Sequence, residues 1–97
     1  MVKLEGLKVR KKSEDDESLV FSVDVEGKES GSSHVVTVHR RDLARLTPGD
    51  VTASDLVEES FRFLLEREPK ESILSRFNLT TIEDYFPEYE KEIKKRL

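Results

Sequence analysis

Phe61-Arg62-Phe63-Leu64-Leu65-Glu66-Arg67-Glu68-Pro69 is the stretch on which the fold turns. It completes a helical period that begins near Ala53. With about 100° per residue and Leu56 as zero, Phe63 falls at about −20°, Ala53 at about 60° and Leu64 at about 80°. Val57 follows at about 100°, Phe61 at about 140° and Leu65 at about 180°. The apolar arc is roughly 200° wide, about twice the stripe of an ordinary surface helix. A helix over 53–67 must therefore be covered on two sides. Thr52 followed by Asp55 supplies a capping arrangement at its start, and Pro69 forces the preceding residue out of helical geometry at its end.

Downstream, the pattern predicts short helices. Ile73, Leu74 and Phe77 are spaced for one over about 69–77, with Asn78 as a left-handed C-cap. Thr80 with Glu83 reads as a capping box opening a turn through Ile82, Tyr85 and Phe86. Pro87 kinks that helix or starts the next. The tail puts Tyr89, Ile93 and Leu97 on one face and pairs Glu90 with Lys94 and Glu92 with Arg96 at i, i+4.

Upstream, the period changes to two. Leu19, Phe21, Val23 and Val25 alternate with Val20, Ser22, Asp24 and Glu26, as in a strand with one dry face. Residues 3–10 form a weaker partner and 34–39 a third strand. The links between them are too short for crossover helices, so the strands form an antiparallel meander. Arg41 to Leu46 is expected to add one helical turn before Thr47-Pro48-Gly49-Asp50 breaks the chain. The fold class is thus α+β, with a three-stranded antiparallel β-meander followed by a long central helix and two or three short C-terminal helices. A single domain over 1–97 is expected, 1–40 being the β-meander and 51–97 the helical part.

Charge is spread evenly. Residues 1–54 hold 10 acids and 9 bases and residues 55–97 hold 11 and 8, so neither half is a polybasic arm or an acidic tail. That balance disfavours bulk attraction to nucleic acid or to anionic membrane. There is no cysteine, which excludes thiolate chemistry and fits a reducing compartment. No apolar run approaches the roughly 20 residues of a membrane span, and no secretory signal is visible. A cytoplasmic location is expected, with no membrane association.

Candidate sites are few. His34 and His39 are the only histidines; an extended strand puts residues five apart on opposite faces, so they do not share a metal and read as surface or strand-end residues. Glu14-Asp15-Asp16-Glu17 lacks the ligand alternation and turning glycine of a calcium loop and reads as a hairpin tip. Lys8, Arg10, Lys11, Lys12, Arg40 and Arg41 are candidates for a basic sheet edge touching nucleic-acid phosphates, although the acidic run beside Lys12 offsets its field. A helix-turn-helix over 73–86 fails on charge, because Glu83 and Asp84 head the helix that would enter the groove. Tyr85, Phe86 and Tyr89 are candidates for a partner-binding aromatic surface, or alternatively fasten the C-terminal helices to the central one. Arg67 lies inside the apolar arc and is expected to form a partly buried ion pair or to cap carbonyls of a neighbouring helix end. No phosphate loop, nucleophile elbow or H-E-x-x-H motif occurs, so no enzyme activity, no cofactor and no metal is expected.

Phe61 to Pro69, with Ser72-Ile73-Leu74, Phe77, Ile82 and Tyr85-Phe86-Pro87-Glu88-Tyr89, resembles a group of small prokaryotic proteins. Those share an F-x-F-L-L-E-R-E-P…S-I-L…Y-F-P-E-Y core behind a short β-rich N-terminus and have no assigned activity. The similarity spans roughly the last forty residues and implies a stand-alone cytoplasmic domain without assigned site residues. From the residues themselves, the leading expectation is a non-enzymatic protein-interaction or regulatory domain, self-associating or binding an unknown protein partner. The alternative is a nucleic-acid-binding protein using the basic edge.

Overall fold

The computed structural model describes residues 6–27 and 30–97. Three strands come first: β1 (Leu7–Glu14), β2 (Ser18–Val25) and β3 (Ser32–His39). Then follow α1 (Arg40–Leu46), α2 (Ala53–Arg67), a single 3-10 turn (Lys70–Ser72), β4 (Arg76–Asn78), α3 (Thr81–Tyr85) and α4 (Tyr89–Arg96). The part of the first expected strand over 3–5 lies outside the described residues.

β1, β2 and β3 pair antiparallel in that order, as their alternation requires. Leu19, Phe21, Val23 and Val25 of β2 and Val36 and Val38 of β3 are buried on one face, with Phe21 opposite Val36 in the register. The expected polar link over 11–18 is shorter than its composition suggests. β1 runs on to Glu14 through a bulge at Lys12, and only residues 15–17 turn. The Asp15 carboxylate closes the turn by accepting the backbone N–H groups of Glu17 (2.8 Å) and Ser18 (2.9 Å). Those donors hold its carboxyl below the usual range.

α2 is the central element. Thr52 accepts the Asp55 N–H at 3.1 Å, and the helix closes with the Glu68 N–H on the Leu64 carbonyl, one residue before Pro69. Ala53, Leu56, Val57, Phe61, Phe63 and Leu64 are buried and Leu65 is partly so. Phe61 packs towards the sheet, with its ring 5.3 Å from His34 and 6.0 Å from Phe77. Phe63 turns the other way, its ring 5.8 Å from Phe86 and 5.4 Å from Tyr89. The wide apolar arc is thus covered on both flanks.

The expected helix over 69–77 does not form. After one 3-10 turn the chain becomes extended, and Arg76–Asn78 pair parallel to β3 with Phe77 beside Val36. The reason is tertiary. The second edge of β3 carries backbone groups that need partners; Ser75 accepts from Val35 N–H (2.8 Å) and the Leu79 N–H donates to Thr37 (2.9 Å). A nine-residue helix has too little cooperative gain to compete. Asn78 accordingly lies in a strand, not in a left-handed cap, and no described residue has a positive φ.

The Thr80–Glu83 capping box is also corrected. Thr80 is already helical (φ −68°, ψ −12°), so the Glu83 N–H donates to the Thr80 carbonyl (3.0 Å) and not to its side chain, while the Glu83 carboxylate is drawn to Arg45 at 2.8 Å. Arg45 also reaches Glu90 at 2.7 Å and Asp42 at 3.4 Å, stapling α1 to α3 and α4. Pro87 precedes a new helix. Glu90 pairs with Lys94 as expected, whereas Arg96 leaves Glu92 for Glu66 of α2 at 2.6 Å and holds that carboxyl below its ordinary range. No helix among the described residues is long and apolar enough to cross a membrane.

Candidate functional site

Because Pro69 stops α2 abruptly and α3 has only five residues, the chain between them leaves a hollow under the sheet edge. It is a cavity of about 150 Å³. Leu64 and Glu68 from the last turn of α2 form one wall, Ile73 and Leu74 a second, and Phe77 of β4 the roof. Tyr85 at the end of α3 and Phe86 just after it close the hollow. Leu74 and Tyr85 are 47% and 66% exposed and are the two large apolar side chains that the described part of the fold leaves open. Both stand on this one groove.

The groove is rigidly held. The Leu74 carbonyl accepts from Nδ1 of His34 at 2.7 Å, since a carbonyl has no proton to give. Nε2 is then the acceptor for the Ser32 hydroxyl, 2.8 Å away. Phe86 braces on Phe63, and Phe77 on Phe61.

The histidines are not equivalent. His34 is buried within β3 and serves the groove wall, which corrects its reading as a surface or strand-end residue. The signal was present: His34, Val36 and Val38 share one face at period two. His39 is half-buried on the opposite face, beside a hollow of about 390 Å³ with Asp16, Glu17, Arg40 and Arg41. Among the described residues no three histidine, aspartate or glutamate side chains converge on a metal position.

The aromatic trio divides. Tyr85 is open, Phe86 is partly buried in the groove wall, and Tyr89 is wholly internal. The Ser60 hydroxyl gives its single proton to the Leu56 carbonyl (2.7 Å), so the Tyr89 hydroxyl donates to Ser60 Oγ at 2.6 Å. Burial pushes the Tyr89 phenol well above its ordinary pKa. Tyr89 is therefore removed from the candidate contact surface. Leu74, Phe77 and Glu68, which belong to it, were missed by sequence reasoning. Ile73 and Leu74 are adjacent, and on extended chain only one of them can face inward.

The basic residues are largely neutralised. Lys8 pairs with Glu26 (3.4 Å), Arg10 with Asp24 (3.6 Å) and Lys11 with Glu14. Arg40 holds Glu14 at 2.7 Å and the Asp15 carbonyl at 3.0 Å. Among the described residues Lys12 and Arg41 have no ion-pair partner, but Arg41 shares its hollow with two acids.

Arg67 lies 3.7 Å over the Phe63 ring and donates to the Phe63 carbonyl and to Glu88, both at 3.2 Å. The carbonyl belongs to its own helix rather than a neighbour's, and the ion pair with Glu88 is exposed rather than partly buried; the part-buried contact is the bond to the Phe63 carbonyl. The architecture that results is a mixed, α+β arrangement of a four-stranded sheet backed by helices, with an apolar groove at one edge. No family model matches the chain, and no curated protein or solved structure matches it either.

Proposed function

We propose that this protein is a small protein-interaction domain whose working surface is the groove between the end of α2, β4 and α3. One observation carries the reading: the two exposed large apolar side chains, Leu74 and Tyr85, stand on the walls of the same cavity. Exposed apolar residues scattered singly need no explanation, whereas a concentrated patch around a hollow favours a partner. An apolar cavity of this size is about large enough for a benzene ring, so one bulky side chain fills it. Glu68 lines the groove and makes no ion pair among the described residues. The chain from Glu66 to Phe86 carries five acids and three bases. The partner is accordingly a segment with a bulky apolar residue close to lysine or arginine.

The test is selection from a random peptide display library, with counter-selection against the Tyr85→Ser/Leu74→Ser double variant. The expected winners carry a bulky apolar residue beside a basic one and shift amides over residues 68–86. Failure to enrich any sequence would overturn the reading. A salt-dependent oligonucleotide complex with shifts at Lys12 and Arg41 would support the nucleic-acid alternative instead.

A further inference from the structure

We infer that the partner is an extended peptide that adds to the open edge of β4 as a fifth strand and drops one apolar side chain into the groove. This rests on the interaction reading above and specifies the ligand's conformation. The backbone sets it out. Ser75 O and Leu79 N face β3, bonded to Val35 and Thr37. Residues two apart on a strand turn their polar groups the same way, so Phe77 also faces β3 while Arg76 and Asn78 turn theirs outward. Among the described residues nothing hydrogen-bonds to those outward N–H and C=O groups, and both residues are exposed.

The other edge of the sheet is guarded. β1 is bulged at Lys12 and carries Lys8, Arg10, Lys11 and Lys12, all of which oppose strand addition. β4 has no bulge, and its one charged side chain, Arg76, alternates with Phe77 onto the face of the sheet away from the groove. Its side chain on the core face, Phe77, roofs the cavity. On an incoming strand, the residue opposite Phe77 points to the same face at about 5 Å, which aims it into the groove. The next side chain on that face, two residues away, is the basic one that meets Glu68. A second copy of this chain fits less well, because it would set Glu68 and its acidic surroundings against their own copies.

The probe is the heptapeptide Thr-Lys-Thr-Leu-Thr-Lys-Thr, with one control in which Leu is replaced by Asp. A second control is N-methylated at the two threonines flanking Leu, whose N–H groups face β4 when the peptide lies antiparallel to it, as proposed. These are titrated into isotopically labelled protein, following amide shifts and exchange. Expected are shifts at Leu74, Phe77 and Tyr85 and amide exchange at Arg76 and Asn78 slowed about tenfold or more. N-methylation should weaken binding by about tenfold or more, because it removes two hydrogen bonds, and the Asp control should not bind. Equal binding of the N-methylated peptide, with Arg76 and Asn78 exchanging as before, would overturn strand addition and leave the groove reading standing. No binding of any peptide would overturn it too, and the library selection then judges the groove separately. Broadening of Arg76 and Asn78 with protein concentration alone would assign the edge to a second copy and overturn the peptide assignment.

Discussion

His34 and Leu74 are forty residues apart in sequence and joined by a 2.7 Å hydrogen bond between the ring Nδ1 and the backbone carbonyl. The bond links the buried face of β3 to a groove wall that has little secondary structure of its own. His34→Ala deletes a buried ring and leaves that carbonyl without its donor. Stability should fall by roughly 2–4 kcal/mol in urea unfolding. Native-state amide exchange at Phe77 and Leu79 should accelerate more than that at β2. Uniform acceleration across the sheet would contradict a specific role in holding the groove.

Ser60 and Tyr89 form a buried pair with an unequal division of protons. Tyr89→Phe removes a donor and leaves Ser60 bonded to Leu56, so the loss should be about 1 kcal/mol. Ser60→Ala strands a buried phenolic O–H and should lose more, roughly 1–3 kcal/mol. The double variant should recover part of that loss, because no orphan group remains. Chemical denaturation of the three variants checks the order, and equal single-variant losses would reverse the assigned donor.

The same phenol sets an alkaline limit. Burial raises its pKa above the ordinary value of about 10, so the folded chain keeps a proton that the unfolded chain gives up. Its contribution is complete below pH of about 10 and is lost as pH climbs towards the folded value, at roughly 1 kcal/mol per pH unit. Wild type should therefore be more stable than Tyr89→Phe at neutral pH, and the gap should close and reverse above pH of about 11. Parallel pH profiles would show that Tyr89 ionises freely in the fold.

Arg67 works through its plane as much as its charge. The side chain is 25% exposed, with its guanidinium stacked on Phe63 and bonded to a carbonyl and a carboxylate. Arg67→Met should lower stability by roughly 1–2 kcal/mol, and Arg67→Lys should restore less than half, since an ammonium cannot stack and fork together. Thermal or urea unfolding checks both. Unchanged or higher stability of the Met variant would remove the structural role.

Long runs with one period were legible in the sequence. Leu19 to Val25 at period two and Ala53 to Arg67 at period 3.6 fixed the meander and its covering helix, because each repeats one burial choice many times. Arg76-Phe77-Asn78 was not legible. Three residues carry no period, and their strand exists only because β3 offers an unpaired edge. Arg45 was silent for a related reason: its partners Glu83 and Glu90 come from helices that meet α1 only after folding. The groove is residual space between a helix stopped by Pro69 and a five-residue helix, and no local pattern encodes a volume. Tyr85 was found as a candidate, but its separation from Tyr89 depends on which of two adjoining short helices each occupies.

The exposure of Tyr85 separates any role in binding from a role in folding. At 66% exposure its ring contributes little to the core, in contrast to Ile82, which is buried one turn away. Tyr85→Ser should change unfolding free energy by no more than about 0.5 kcal/mol, as surface changes do. Ile82→Ala should lose roughly 2–4 kcal/mol. An aromatic ring that the fold does not need, on the lip of an apolar groove, is what the proposed interaction reading requires of a contact residue. Tyr85→Ser should therefore abolish peptide capture in the selection while its melting curve overlays wild type. A Tyr85→Ser variant that unfolded as readily as Ile82→Ala would make the ring a structural member, and the groove would lose its main reason to be read as a binding surface.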